Sequence, residues 1–222
     1  MDTEKKLFGT IDFYGATGDV TGANFLITIN GKRILVDCGL HQGEQAENDQ
    51  ESNFGSFPYD PESIDILFVT HAHTDHIGKI PKLIHDGFSG VIYSTPPTKE
   101  ISALMFDDAL GLMENEAKEK GLDPMYTQMD IDKTLSLWKV ISYHNHLDIG
   151  NNIGVKLFDA GHVLGSAMVE FSYEGKRLLC TGDLGNTPTT LLRNTETFME
   201  PNFLLMESVY GDRNHNTENR TK

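Results

Sequence analysis

An apolar run of strand length, Ile64 to Thr70, stops abruptly at His71, and the segment His71-Ala-His73-Thr-Asp75-His76 then offers four side chains able to bind a metal ion. No other feature constrains the fold as much, because ligands packed into one bend need a rigid element to hold them. His71 and His73 stand two apart in extended or loop backbone and can converge on one ion. Asp75 and His76 lie around the bend and can serve a second. A merely solvated histidine turn would need no strand delivering it, nor the helix start that Ile77-Gly78 offers just beyond.

Two further candidates sit in glycine-rich turns after β-rich runs. They are His162, in Asp159-Ala-Gly-His-Val-Leu-Gly-Ser166, and Asp183, in Cys180-Thr-Gly-Asp-Leu-Gly185. Glycine lets backbone approach an ion or adopt turn geometries that set a side chain at a sheet's edge. Either turn alone reads as structural; beside the first cluster both become ligand candidates. His144 and His146, in Tyr143-His-Asn-His146, alternate on a possible strand, yet nothing else of ligand chemistry lies near them in sequence. His41, His85 and His215 read as surface or loop residues, with His215 a weaker candidate for a phosphate contact. Cys38 and Cys180 each end an apolar run, where a buried free thiol is expected rather than a ligand or a disulfide.

The rest of the chain predicts a sheet-based frame for these turns. Leu7 to Tyr14, Asn24 to Ile29 and Arg33 to Val36 are β-rich, and Asn30-Gly31 between two of them is a hairpin signal. From Thr98 the period becomes helical, with Ile101, Leu104, Met105, Ala109, Leu112 and Met113 on one stripe and Gly121 as the stop. Thr127-Gln-Met-Asp130 has capping-box form and opens a second helix through Ile131, Leu135 and Trp138. Strands return at Gly154 to Asp159, Ala167 to Tyr173, Arg177 to Thr181 and Asn202 to Glu207. This order predicts an α/β sandwich, two sheets with helices outside, in a single domain that 222 residues suffice to fill. With 38% apolar and 23% charged residues a folded core is expected. The first residues, MDTEKK, carry no apolar signal region, and no apolar run reaches membrane-spanning length, so the chain reads as soluble and cytoplasmic. A formal charge of −15 argues against wrapping nucleic acid through a broad basic face.

The motifs also resemble a known family. His71-x-His73-x-Asp75-His76, His162 and Asp183, preceded by Asp37 in Ile34-Leu-Val-Asp37-Cys-Gly, are similar to the ordered motifs of the metallo-β-lactamase superfamily. That resemblance implies an αββα sandwich holding two Zn2+ ions. One is bound by His71, His73 and His162, the other by Asp75 and His76, with Asp183 bridging and Asp37 in support. Glu207-Ser-Val-Tyr-Gly-Asp-Arg213 is similar to a motif of the β-CASP RNA-nuclease branch, as are Phe13-Tyr-Gly-Ala-Thr-Gly-Asp-Val-Thr-Gly22 and Met125-Tyr-Thr-Gln-Met-Asp130.

The implied organisation is a metallo-β-lactamase-like domain over 1–210 and the truncated start of a β-CASP-like insertion over 211–222. The sandwich is then incomplete, since that branch continues into an inserted domain and a last histidine ligand. The implied function is the metal-binding lobe of an RNA-cleaving phosphodiesterase, weak or inactive as a fragment. Its catalytic residues are Asp75, Asp183 and Glu207, with Glu207 in a proton relay, and its nucleophile is a hydroxide held by the metals. RNA is the implied partner of the full-length protein, no membrane is involved, and a homo-oligomer is left open. Two other readings stay open: a metallo-hydrolase of thioesters, lactones or other small esters, and a truncated, non-enzymatic metal-binding module.

Overall fold

The computed structural model describes residues 8–43, 53–120, 123–186, 191–198 and 200–211, apart from the side chains of 116–120. Gly121, His215 and the pair Asp212-Arg213, singled out above, lie outside the described residues.

The N-terminal half builds one sheet from six strands, in order β1 (Thr10–Phe13), β2 (Phe25–Ile29), β3 (Lys32–Val36), β4 (Ile66–Phe68), β5 (Val91–Ser94) and β6 (Trp138–Val140). Asn30 and Gly31 turn β2 into β3 with φ of +46° and +79°. Both values are left-handed, as a two-residue hairpin turn matching the twist of its strands requires. From β3 onward the strands pair in parallel, and helical segments make the returns: α1 (Thr74–Ile77), α2 (Ile80–His85), α3 (Pro96–Lys120) and α4 (Gln128–Leu137).

The second sheet runs β11 (Phe203–Leu205), β10 (Lys176–Cys180), β9 (Ala167–Tyr173), β8 (Gly154–Asp159) and β7 (Leu147–Asp148). Alternation along each strand divides the apolar residues into layers. Ile27, Ile34 and Phe68 from the first sheet meet Val155, Val169 and Phe171 from the second in the core between them. Leu26, Leu35 and Leu67 point the other way, against Leu83, Phe106 and Ile131 of the helices. On the outer face of the second sheet Met168 and Leu179 are covered by Phe158, Leu184 and Phe198. No described helix is long and apolar enough to cross a membrane.

Two readings of the sequence need correction. On α3, Leu104 and Leu112 are 71% and 66% exposed and Met105 also faces out, whereas Ser102, Phe106 and Leu110 are buried. Ile101 and Met113 of the expected stripe do pack against the core, so the buried face is the expected one turned toward Phe106, which packs near Trp138. Trp138 does not continue α4: its φ of −90° and ψ of 115° are extended, and it opens β6 beside Ile92. There its indole N–H finds Ser94 Oγ at 2.8 Å, satisfying a donor that burial would otherwise orphan.

Candidate metal centre

Five strands finish at one end of the sandwich, and each leads into a loop that carries a polar side chain. Asp37 follows β3, the His71–His76 turn follows β4, and His162, Asp183 and Glu207 follow β8, β10 and β11. The parallel pairings of β3 with β4 and of β10 with β11 make these ends coincide. In the second sheet β9 runs antiparallel to both of its neighbours, so β8 points the same way as β10.

The geometry separates two groups of donors. His71 Nε2 lies 3.0 Å from His73 Nδ1, which lies 3.2 Å from His162 Nε2. Asp183 Oδ2 completes this group at 3.8 Å from His71 Nε2 and 3.6 Å from His162 Nε2. All four donor atoms lie within 4.8 Å of one another. A tetrahedral ion with bonds of about 2.0–2.1 Å holds its donors roughly 3.3 Å apart, so the spacing suits one zinc-sized cation. The other oxygen of Asp183, Oδ1, is 3.2 Å from His76 Nε2, which is 3.8 Å from Asp75 Oδ2. One carboxylate thus faces two donor groups, one with each oxygen.

Behind the donors a hydrogen-bond layer fixes which ring nitrogen faces the cluster. Asp37 is buried and left-handed, with φ of +59°. Its Oδ1 accepts from Thr70 N at 2.8 Å, and its Oδ2 accepts from Thr70 Oγ1 at 2.7 Å. The same Oδ2 is 2.7 Å from His76 Nδ1. An ionised carboxylate only accepts, so His76 carries a proton on Nδ1 and turns Nε2 toward Asp183. The Thr70 hydroxyl, having given its hydrogen to Asp37, can only accept from His71 Nδ1 at 3.1 Å. His71 therefore presents a bare Nε2 to the cluster.

Electrostatics fit a cation. Burial, reinforced by the neighbouring imidazoles of His76, His73 and His162, holds His71 well below the usual histidine range, which favours the neutral ring a metal needs. Burial also lowers His162, partly offset by Asp183. Burial works against charge on His76 too, but Asp37 and Asp183 outweigh it and raise this imidazole to about 10, so its Nε2 holds a proton toward Asp183 that a bound cation would have to displace. Asp183 stays low because contacts with His76 and His162 overcome the cost of its burial. Carboxylates crowded against imidazole nitrogens are the chemistry of a divalent-cation site.

Glu207 borders the same space. A cavity of about 440 Å³ opens beside the cluster, lined by Asp37, His76, Asp183 and Glu207 on one side and by Phe13, Phe25 and Met206 among others. The backbone N–H groups of Leu184 and Val209 donate to the Glu207 carboxylate. Burial, aided by the charge on Asp183, nonetheless raises its pKa.

The remaining candidates lie elsewhere. His144 pairs with Glu196 at 3.2 Å in a turn, and His85 with Asp130 at 3.2 Å. The ring of His41 packs beneath Gly22. Cys38 and Cys180 are buried free thiols, and burial pushes Cys38 up to about 12, leaving it inert. Thr70 is a functional residue that the sequence marks only by its place directly before His71, at the end of a buried β-rich run.

Comparison with known proteins follows the same lines. Residues 17–206 match the family described as "Metallo-beta-lactamase superfamily". The chain is 33% identical over 202 residues to Ribonuclease TTHA0252 of Thermus thermophilus, covering 91% of this chain and 44% of that protein. It is 31% identical over 207 residues to Cleavage and polyadenylation specificity factor subunit 3-I of Arabidopsis thaliana, covering 90% and 28%. To Transcription termination factor FttA of Methanocaldococcus jannaschii it is 33% identical over 204 residues, covering 90% and 31%. The chain spans less than half the length of each of these relatives. Among solved structures, a Cronobacter sakazakii metallo-beta-lactamase HARLDQ motif mutant S60 superposes with a TM-score of 0.52 at 16% identity, over 85% of this chain and 67% of that one, a likeness of fold.

Proposed function

The chain belongs to the metallo-β-lactamase superfamily, and from that premise we propose that its strand-end cluster binds two zinc ions and serves the cleavage of RNA phosphodiester bonds. The observation that carries the reading is the double-faced carboxylate of Asp183, one oxygen toward His71, His73 and His162 and the other toward His76 and Asp75. His71, His73, His162 and Asp183 would hold the first ion; Asp75, His76 and Asp183 would hold the second. Such a pair supplies Lewis-acid charge for phosphoryl oxygens and lowers the pKa of water. RNA as the substrate is supported by the names of the relatives, which describe a ribonuclease and a cleavage and polyadenylation specificity factor subunit. The Glu207-Ser-Val-Tyr-Gly motif supports the same β-CASP-like branch.

The protein's own groups have distinct tasks in this reading. Asp37 and Thr70 engage Nδ1 of His76 and His71 and so aim Nε2 of each ring at the cluster. Asp75 and Asp183 contribute negative charge that keeps cations in place. Glu207 faces the cavity, and burial raises its carboxyl above the ordinary range, which supports a place for it in a proton relay toward the departing alkoxide. The match over 17–206 supports taking residues 1–210 as the metal-binding domain, and the likeness of the Glu207-Ser-Val-Tyr-Gly motif to the β-CASP branch supports reading 211–222 as the start of an insertion. The activity belongs to the whole protein of which this domain is the metal-binding part, in keeping with the greater length of the relatives.

The test is a side-by-side assay of zinc-loaded full-length protein on end-labelled RNA and on small thioester and lactone substrates. The proposal expects RNA cleavage, with Asp75→Ala reducing it at least about a hundredfold, the scale on which general acid–base and metal contributions are lost. Ester hydrolysis without RNA cleavage would overturn it.

A further inference from the structure

We propose that Thr95 and Thr98, at the start of α3, are positioning residues for His162, acting through the carbonyl of Gly165. The proposal rests on the metal-binding reading of the cluster.

His162 sits on the turn between β8 and β9, and its backbone has one local support. Ser166 Oγ accepts from His162 N at 3.0 Å and from Val163 N at 3.2 Å, so the base of the imidazole follows Ser166. Ser166 is itself tied from three directions. Its N–H donates to Val163 O at 3.0 Å, and its carbonyl accepts from Ala160 N at 3.2 Å and from Tyr143 Oη at 2.8 Å.

The residue before it is gripped from across the fold. Thr95 Oγ1 donates to Gly165 O at 2.6 Å and Thr98 Oγ1 to the same oxygen at 2.9 Å, about seventy residues away in sequence. Both threonines are buried, so neither hydroxyl has water as an alternative. Gly165 has φ of +85°, and a Cβ there would fall 2.8 Å from Thr95 Oγ1 and from Thr98 N. The turn is therefore seated on the threonines with no space for adjustment. Ser94, whose Oγ takes the indole N–H of Trp138 and donates to Thr95 O, anchors the clamp to β5 and β6. The first sheet thus carries His71 and His73 in the turn after β4 and, through the clamp, sets the height of a ligand that the second sheet supplies.

A purely structural role would change stability and leave the metal alone. Zinc affinity is to be measured by chelator competition on the wild type, on T95V/T98V and on T95S/T98S. Thr134→Val serves as control, since that buried hydroxyl bonds Asp130 O far from the cluster. The proposal expects T95V/T98V to lose about tenfold in affinity, the low end for partners of metal ligands, because the clamp reaches His162 only through Gly165 and Ser166. T95S/T98S should stay near wild type, and Thr134→Val should keep its affinity despite lower thermal stability. Cobalt absorption of T95V/T98V should also shift, because His162 would no longer complete the site at the same angle. If the double valine variant fails to fold, the single Thr98→Val gives the same reading. Wild-type affinity in the valine variants, or no rescue by serine, overturns the clamp alone. A wild type that binds no zinc overturns the metal reading with it.

Discussion

Thr70 is the residue on which both halves of the cluster turn. Its hydroxyl contacts Asp37 at 2.7 Å and His71 at 3.1 Å, and its backbone N–H supports the other oxygen of Asp37. Valine keeps the shape and removes the hydroxyl. Thr70→Val should therefore leave a buried carboxylate short of a donor, lowering stability by about 1–3 kcal/mol in denaturant melts. It should also weaken zinc binding about 10–100-fold, because His71 loses the contact that fixes its tautomer. Thr70→Ser should restore both. Most residues of the strand-end cluster could be read from the chain because imidazoles and carboxylates are rare enough that their crowding at strand ends stands out. The roles of Thr70, Thr95 and Thr98 could not, because a hydroxyl in a strand or a first helical turn looks the same in sequence whether or not it faces a ligand loop.

At the scale of elements, the start of α4 and the face of α3 give separate tests. Asp130 Oδ2 accepts from Thr127 N and Thr127 Oγ1, each at 2.8 Å, and pairs with His85. Burial alone would raise this carboxyl, but the Thr127 donors and His85 outweigh it and hold it below the usual range. A depressed folded-state pKa contributes stability that is present above the unfolded value, about 4. The contribution is lost as pH falls through the folded value. Asp130→Asn should thus cost about 1 kcal/mol at pH 7 and progressively less below pH 4, read from thermal melts across that range. On α3, Leu110→Ala should cost about 2–5 kcal/mol while Leu104→Ala stays within about 0.5 kcal/mol, since only the first opens a cavity. The hairpin at Asn30-Gly31 and the capping box were legible because each is a local device with its own residues. The facing of α3 was legible only in part, because tertiary packing turns the expected face toward Phe106. β5 was missed because Val91–Ser94 is a four-residue run whose strand character comes from lying between β4 and β6.

For the molecule as a whole the governing fact is a formal charge of −15 on a chain proposed to act on a polyanion. RNA engaged at a cation pair should show a shallow salt dependence, less than about tenfold between 50 and 200 mM salt in gel shifts. A protein neutralising 6–10 phosphates with lysine and arginine loses about 10³–10⁵ over the same span. Cations bound where loops from both sheets meet at Asp183 would add to the fold's stability by mass action. Zinc content determined by mass spectrometry after gel filtration, on wild type and on His73→Ala, tests the convergence of those loops most directly. The account predicts stoichiometric zinc on the wild type and its loss from His73→Ala; equal zinc on the two proteins would contradict it.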